Sequence, residues 1–250
     1  MAGLLGLALG SVSLLVPGCR LAKENIQPPP ADRHAPHNYI GRQAMVVAAH
    51  PLAVQAGLEM LKRGGNAVDG AITTAAALNA AEPFASGIGG GGFMIIHLAR
   101  EKRTTVINFR EKAPHLASPA MFKDKGEEEK EWRTSSGLAV AVPGALAGWD
   151  LALRKYGTRP LAEALAGAIA IAEQGFIVSP TFSSINKDEY ERLVKNLPEG
   201  SGYLNEGLPY EPGDRFRNPD LAKTLRLIAA NGVKEFYEGE ISRKLVVAVR

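Results

Sequence analysis

The sequence predicts a mixed α+β fold in which helices come in pairs and strands sit beside them, not a strict βαβ alternation. Three observations carry that expectation. Apolar stripes at helical spacing recur between clear start and stop signals. Two short apolar runs, residues 93–98 and 104–109, are joined by a charged loop and read as a pair of strands. No internal repeat links the segments.

Taken in order, residues 44–49 form a short apolar run that reads as a buried strand. Pro51 opens a helix whose stripe is Ala53, Val54, Gly57, Leu58 and Leu61, and Gly64-Gly65 closes it. Asn66 is a good N-cap for the next helix, with Asp69 in its first turn at the positive end of the dipole. That helix is Ala-rich almost all round, which suits burial between layers. After Pro83 come a glycine run and the two strands. Residues 123–133 are strongly charged and read as a solvated loop, and 138–142 as a further strand.

Pro143 starts a helix that ends near Gly157. A second runs from Leu161 to Gln174 and is stopped by Gly175. A third covers residues 180–196. Residues 200–219, dense in Gly and Pro, are loop-like. Residues 220–230 make an amphipathic helix closed by Asn231-Gly232, and 240–250 begin a helical pattern without a stop signal.

Composition bounds the function classes. At 250 residues the chain holds one large domain or two small ones. The net charge of +3 is mild, with Lys and Arg scattered, so the basic stripe with aromatics expected of a nucleic-acid partner is absent. Aromatics are only 6%, so the core must rest on Ala, Leu, Ile and Val.

The chain divides into a leader (1–19), a Pro-rich linker (20–40) and a folded region (41–250). Residues 1–16 are apolar and shorter than the roughly 20 residues of a membrane span. Export to the periplasm or cell envelope is expected, although no Lys or Arg precedes the run. Cys19 is the only cysteine, so no intrachain disulfide can form. Val16-Pro17-Gly18-Cys19 resembles a lipobox, which would lipidate Cys19 and give a membrane contact through that anchor alone. An unmodified secreted leader fits the same residues. Pro28-Pro29-Pro30 favours an extended tether. His34 and His37 have no Cys neighbour and only Asp32 as a nearby acid, too few ligands for a metal site to be expected.

Gly87-Ile88-Gly89-Gly90-Gly91-Gly92 formally satisfies G-x-G-x-x-G. A dinucleotide turn must follow a strand and open a helix, and here the order is reversed. No Gly-Lys-Ser/Thr closes a P-loop either. What remains is a run that lets backbone turn tightly and pass close to another segment.

Arg110 follows a strand and is flanked by Phe109 and Glu111. From those residues alone it reads as a surface Arg paired with a neighbouring acid. The wider block says more. The Ala-rich helix from Asn66, the glycine run into Phe93, and Asn108-Phe109-Arg110-Glu111-Lys112-Ala113-Pro114 together resemble the γ-glutamyltranspeptidase family of N-terminal-nucleophile hydrolases. Val142-Pro143-Gly144-Ala145 with Gly148-Trp149, Ile171-Ala172-Glu173-Gln174-Gly175-Phe176 and Phe236-Tyr237-Glu238-Gly239 match it in the same order, over about residues 43–250.

The resemblance implies a four-layer αββα sandwich, of which only the N-terminal portion is present. It implies γ-glutamyl transfer from glutathione or a similar donor to water, amino acids or peptides, with no metal or organic cofactor. In it the Arg of this motif binds the donor's α-carboxylate, which places that role on Arg110. A planar guanidinium can hold a carboxylate bidentately, which suits the task. Family members are longer precursors cut into two subunits, the nucleophile being the new N-terminal Thr of the small one, within a Thr-Thr-His-like motif. Here Ala75 follows Thr73-Thr74 and Val106 follows Thr104-Thr105, so no catalytic residue is assigned in this chain. The expectation is a truncated large subunit, inactive alone and poorly soluble, whose partner is the small-subunit half of the same precursor. Two other readings remain: a cephalosporin-acylase-like enzyme and a non-catalytic envelope protein binding small carboxylates.

Overall fold

A computed structural model describes residues 41–249. The expected leader, the linker with His34 and His37, and Cys19 lie outside the described residues. The chain runs α1 (Pro51–Lys62), α2 (Ala67–Ala81), β1 (Phe93–Leu98), β2 (Arg103–Asn108), α3 (Glu129–Ser135), α4 (Ala145–Tyr156) and α5 (Leu161–Gln174). There follow β3 (Phe176–Ile177), α6 (Pro180–Asp188), α7 (Tyr190–Asn196), β4 (Arg215–Phe216), α8 (Pro219–Asn231), α9 (Val233–Glu238) and α10 (Glu240–Ala248).

Helix α2 is the centre. Eleven of its fifteen residues are buried, because Ala on nearly every face lets α1 pack on one side and α5 on another. The approach of α1 is close: a Cβ on Gly57 would lie 2.1 Å from Thr74 Oγ1, so only glycine fits. Helix α5 carries the layer on to α8 through Leu165, Leu225 and Ile228, all fully buried. Burying each such side chain contributes about 1.5–3 kcal/mol. A second cluster gathers Phe176, Phe182, Tyr210 and Phe216, whose rings meet edge-on or tilted at 5.0–6.1 Å.

Strands β1 and β2 form an antiparallel hairpin in the register Phe93↔Asn108 to Leu98↔Arg103. Its inner face puts Ile96 and Ile107 into the core beside Leu146 and Trp149 of α4. Its outer face is also apolar, with Phe93, Ile95 and Val106 exposed. Apolar residues on both faces are the mark of a strand pair meant for a layered interior.

Several expectations need correction. Residues 44–49 form no strand: the segment is irregular, without a paired strand among the described residues, and only Val46 and Ala48 are half-buried. Residues 138–142 likewise give a 3₁₀ turn over Gly137–Ala139 and a single bridge from Val142 to Lys112, with Leu138, Val140 and Val142 exposed. An apolar run becomes a strand only where a partner edge is available: among the described residues 44–49 meets none, and 138–142 meets one at Val142 alone. The charged stretch is not a loop throughout. It forms a 3₁₀ turn over Lys123–Glu128 and then α3, where Arg133 Nε donates to Glu129 Oε1 at 2.7 Å across one helical turn. The helix expected over 180–196 breaks at Glu189 into α6 and α7. The loop-like stretch 200–219 also contributes β4, which pairs with β3. The stripe of α1 is rotated, burying Leu52, Ala53, Gly57 and Met60.

Candidate functional site

The hairpin delivers Arg110 two residues beyond β2. The ladder continues past the strands, with Gly92 N–H donating to Phe109 O at 3.3 Å and Phe109 N–H to Gly92 O at 3.0 Å. There the glycine run becomes necessary. A Cβ on Gly91 would lie 2.4 Å from Phe109 O and 2.9 Å from Glu111 N, so any side chain would push the two segments apart. The reading of the run as a close-approach device holds: α2 precedes it and β1 follows it.

Arg110 N–H donates to Asn108 Oδ1 at 3.0 Å, an Asx turn that sends the chain sharply out of the strand. The Arg110 side chain is 60% exposed, with Nε 3.3 Å from Glu111 Oε2. Glu111 Oε2 is itself buried and makes no hydrogen bond. The expected pairing of Arg110 with a neighbouring acid is present, therefore, but it occupies only one side of the guanidinium fork. Lys112 then exchanges two backbone hydrogen bonds with Val142, at 3.2 and 2.8 Å.

That bridge brings in the start of α4. Gly144 and Ala145 N–H both donate to Gly90 O, at 2.9 and 3.0 Å. A Cβ on Gly144 would fall 2.1 Å from Phe109 O, and one on Gly148 2.3 Å from the Phe109 ring. Phe109 is thus held against two glycine faces. From α9, Tyr237 Oη donates to Pro143 O at 2.9 Å and accepts the Ala147 N–H at 3.3 Å. Burial pushes the Tyr237 hydroxyl pKa up, opposed by the Ala147 hydrogen bond, so it stays a donor. Together these segments enclose a cavity of about 250 Å³ lined by Asn108, Phe109, Arg110, Lys112, Pro143 and Tyr237 among others.

Four motifs scattered over about 150 residues of sequence therefore meet around Arg110. Sequence reasoning named Arg110 but missed the parts of Glu111, Lys112 and Tyr237. The pairing Lys112↔Val142 leaves no periodicity signal, and the Tyr237 contacts span 90 and 94 residues. The two Thr-Thr pairs lie elsewhere: Thr73 and Thr74 are buried within α2, Thr104 and Thr105 lie in β2. Among the described residues no group of three His, Cys, Asp or Glu could hold a metal ion, and no helix is long and apolar enough to cross a membrane.

The fold is that of the N-terminal part of N-terminal-nucleophile hydrolases, the class of its structural neighbours. The arrangement superposes on the crystal structure of Helicobacter pylori γ-glutamyltranspeptidase with a TM-score of 0.78 and 36% identity, covering 83% of this chain and 60% of that one. A model of the family described as gamma-glutamyltranspeptidase matches residues 53–250. The chain belongs to the γ-glutamyltranspeptidase family. Glutathione hydrolase proenzyme of Bacillus subtilis (strain 168) is 38% identical over 240 residues, 95% of this chain and 41% of that protein. Acylase ACY 1 proenzyme of Pseudomonas sp. (strain V22) is 41% identical over 212 residues, 82% of this chain and 38% of that one. The chain spans about two-fifths of the length of these two relatives.

Proposed function

We propose that this chain supplies the donor-anchoring wall of an enzyme that transfers γ-glutamyl groups from glutathione or related donors, with Arg110 binding the α-carboxylate. One observation carries the reading: a 60% exposed guanidinium stands at the wall of a cavity that three separate segments hold in shape. The second face of that guanidinium is open to a planar anion.

Acyl transfer would proceed through a Thr nucleophile that is not among these 250 residues, contributed by the small-subunit half of the precursor. Its hydroxyl attacks the γ-amide carbon while its own α-amino group takes the proton. The amine leaves (Cys-Gly from glutathione), and water, an amino acid or a peptide then takes the acyl group. Arg110 acts only on the distal end of the donor, orienting it so that the γ-carbonyl meets the nucleophile. These 250 residues alone are expected to turn over no donor. The same proposal places the product in the cell envelope, which fractionation and lipid labelling of Cys19 would check.

The 41% identity to an acylase supports a second reading, in which the acyl group has no α-amino acid head. A γ-glutamyl anilide and its α-methyl ester, given to the complete gene product, separate the two. Under the anchoring role, losing the carboxylate lowers kcat/KM by about 10-fold or more, the worth of a charge-assisted hydrogen bond. Equal turnover of both would favour the acylase.

A further inference from the structure

Helix α4 begins without a side-chain cap, because Gly144 stands at its N-cap. Three N–H groups at this end still find acceptors, but from distant parts of the chain. Gly90 O takes those of Gly144 and Ala145, and Tyr237 Oη takes that of Ala147. Tyr237 also donates to Pro143 O, so a single hydroxyl ties both sides of the turn that enters the helix. That turn is the surface on which Phe109 rests, through Gly144 and Gly148. Phe109 and Arg110 are adjacent, and a displacement of the Phe109 seat moves the guanidinium that follows it. Tyr237 lines the same cavity as Arg110 while remaining short of a direct hydrogen bond with it.

We infer that Tyr237 is a positioning residue for the donor site: its hydroxyl locks the Pro143–Ala147 turn and thereby fixes the direction of Arg110. The inference rests on the anchoring role given to Arg110 above. Its signature is specific. A residue that only stabilises the fold alters melting and leaves donor affinity alone. A residue that aims Arg110 alters KM for γ-glutamyl donors, and does so only while Arg110 is there to be aimed.

The test is a double-mutant cycle on the complete gene product, using Tyr237→Phe, Arg110→Lys and the pair, with a γ-glutamyl anilide as donor. Tyr237→Phe keeps the edge-on ring contact with Phe236 at 5.1 Å. It is expected to raise KM about 5-fold with kcat within about 2-fold, and to add nothing in the Arg110→Lys background. Tyr210→Phe, which removes a hydroxyl bonded to Gly202 O in the other aromatic cluster, is the control and should leave KM unchanged. If Arg110→Lys raises KM while Tyr237→Phe does not, the positioning role is overturned and the anchor stands. If the two effects multiply independently, the positioning role is again overturned. If Arg110→Lys leaves KM unmoved, the anchor itself falls, and positioning falls with it. Should Tyr237→Phe fail to fold, hydrogen exchange of the unaltered protein decides. Added glutamate slows exchange of the Gly144–Gly148 amides if the turn and the anchor are coupled, and unaltered exchange there overturns the inference.

Discussion

Asp69 and Thr158 join the first turn of α2 to the loop between α4 and α5: Thr158 Oγ1 donates to Asp69 Oδ2 at 2.6 Å and Thr158 N–H to Oδ1 at 2.9 Å. The same carboxylate accepts from Arg159 N–H at 3.1 Å and, closing a capping box, from Asn66 N–H at 2.7 Å. The carboxylate is fully buried, and its acceptors are all spent on backbone and hydroxyl donors.

Replacing Asp69 by Ala strands those donors, and the expected loss is about 3 kcal/mol of stability. Asp69→Asn should cost less, since one oxygen survives. Burial works to raise the Asp69 pKa, but the hydrogen bonds from Thr158, Asn66 and Arg159 outweigh it and hold the carboxyl below the usual carboxylate range. A depressed folded-state pKa gives stability that is full above the unfolded value of about 3.9 and is lost as pH falls through the folded one. Wild type should therefore lose more melting temperature than Asp69→Asn in acid titration below about pH 4. Parallel curves would remove Asp69 from the acid response.

His50 offers a second titration, nearer neutrality. It is the N-cap of α1, its Nδ1 accepting from Leu52 N–H at 3.2 Å, and its ring meets Phe176 edge-on at 5.4 Å. Burial lowers its pKa from the ordinary 6.5. Protonation would also convert the capping acceptor into a donor facing another donor. The sign follows: stability is full above about pH 6.5 and declines as pH falls toward the depressed folded value. His50→Asn keeps a capping oxygen and cannot titrate. Its melting temperature should change less than that of wild type between pH 7.5 and 5.5, and an equal change in both would exclude His50.

Much of this architecture is legible from residue order alone. Asn66 announces α2 as its N-cap, where the structure closes a capping box with Asp69, and Gly175 ends α5 with a φ of 71°. Those signals are local, a cap or a left-handed residue within one turn of the helix they bound. What the sequence hides is non-local. Residues 44–49 and 138–142 carry strand-like composition, but composition cannot say whether an unpaired edge will be near. The β3–β4 pair is the converse, two residues on each side held by the ring cluster of Phe176, Phe182 and Phe216 more than by any strand propensity. The site shows the same division. A family resemblance singles out Arg110, whereas Tyr237 becomes visible only when a contact across more than 90 residues places its hydroxyl on the α4 turn.

The glycines around Phe109 should not tolerate substitution equally. A Cβ on Gly148 would enter the Phe109 ring at 2.3 Å, a clash that cannot be relieved without moving the ring. Gly148→Ala should cost about 1–3 kcal/mol, several degrees of melting temperature for a chain of this size. Gly89, in the same run as Gly91, has nothing within 4 Å of its would-be Cβ, so Gly89→Ala should fall within about 0.5 kcal/mol of wild type. Thermal denaturation of the two variants decides the matter. A loss at Gly89 as large as that at Gly148 would mean that Gly89 is needed for turning, since no close approach constrains it.

Arg110 and Glu111 make the final pair. Glu111 is held below the glycine run, and its buried Oε2 faces Arg110 Nε at 3.3 Å without another partner. The contact steers one side of the guanidinium and leaves the other side for an anion. Arg110→Lys keeps the charge and loses the fork, so it should raise KM for γ-glutamyl donors about 10-fold while kcat changes little, because a ground-state contact is weakened. Glu111→Gln retains shape but gives up the charge that orients Arg110, and a smaller rise, about 3-fold, is expected. Steady-state kinetics of the complete gene product with a γ-glutamyl anilide measures both. A collapsed kcat at constant KM for Arg110→Lys would assign that side chain to the transition state and not to donor binding. A Glu111→Gln effect larger than that of Arg110→Lys would mean the carboxylate touches the donor itself.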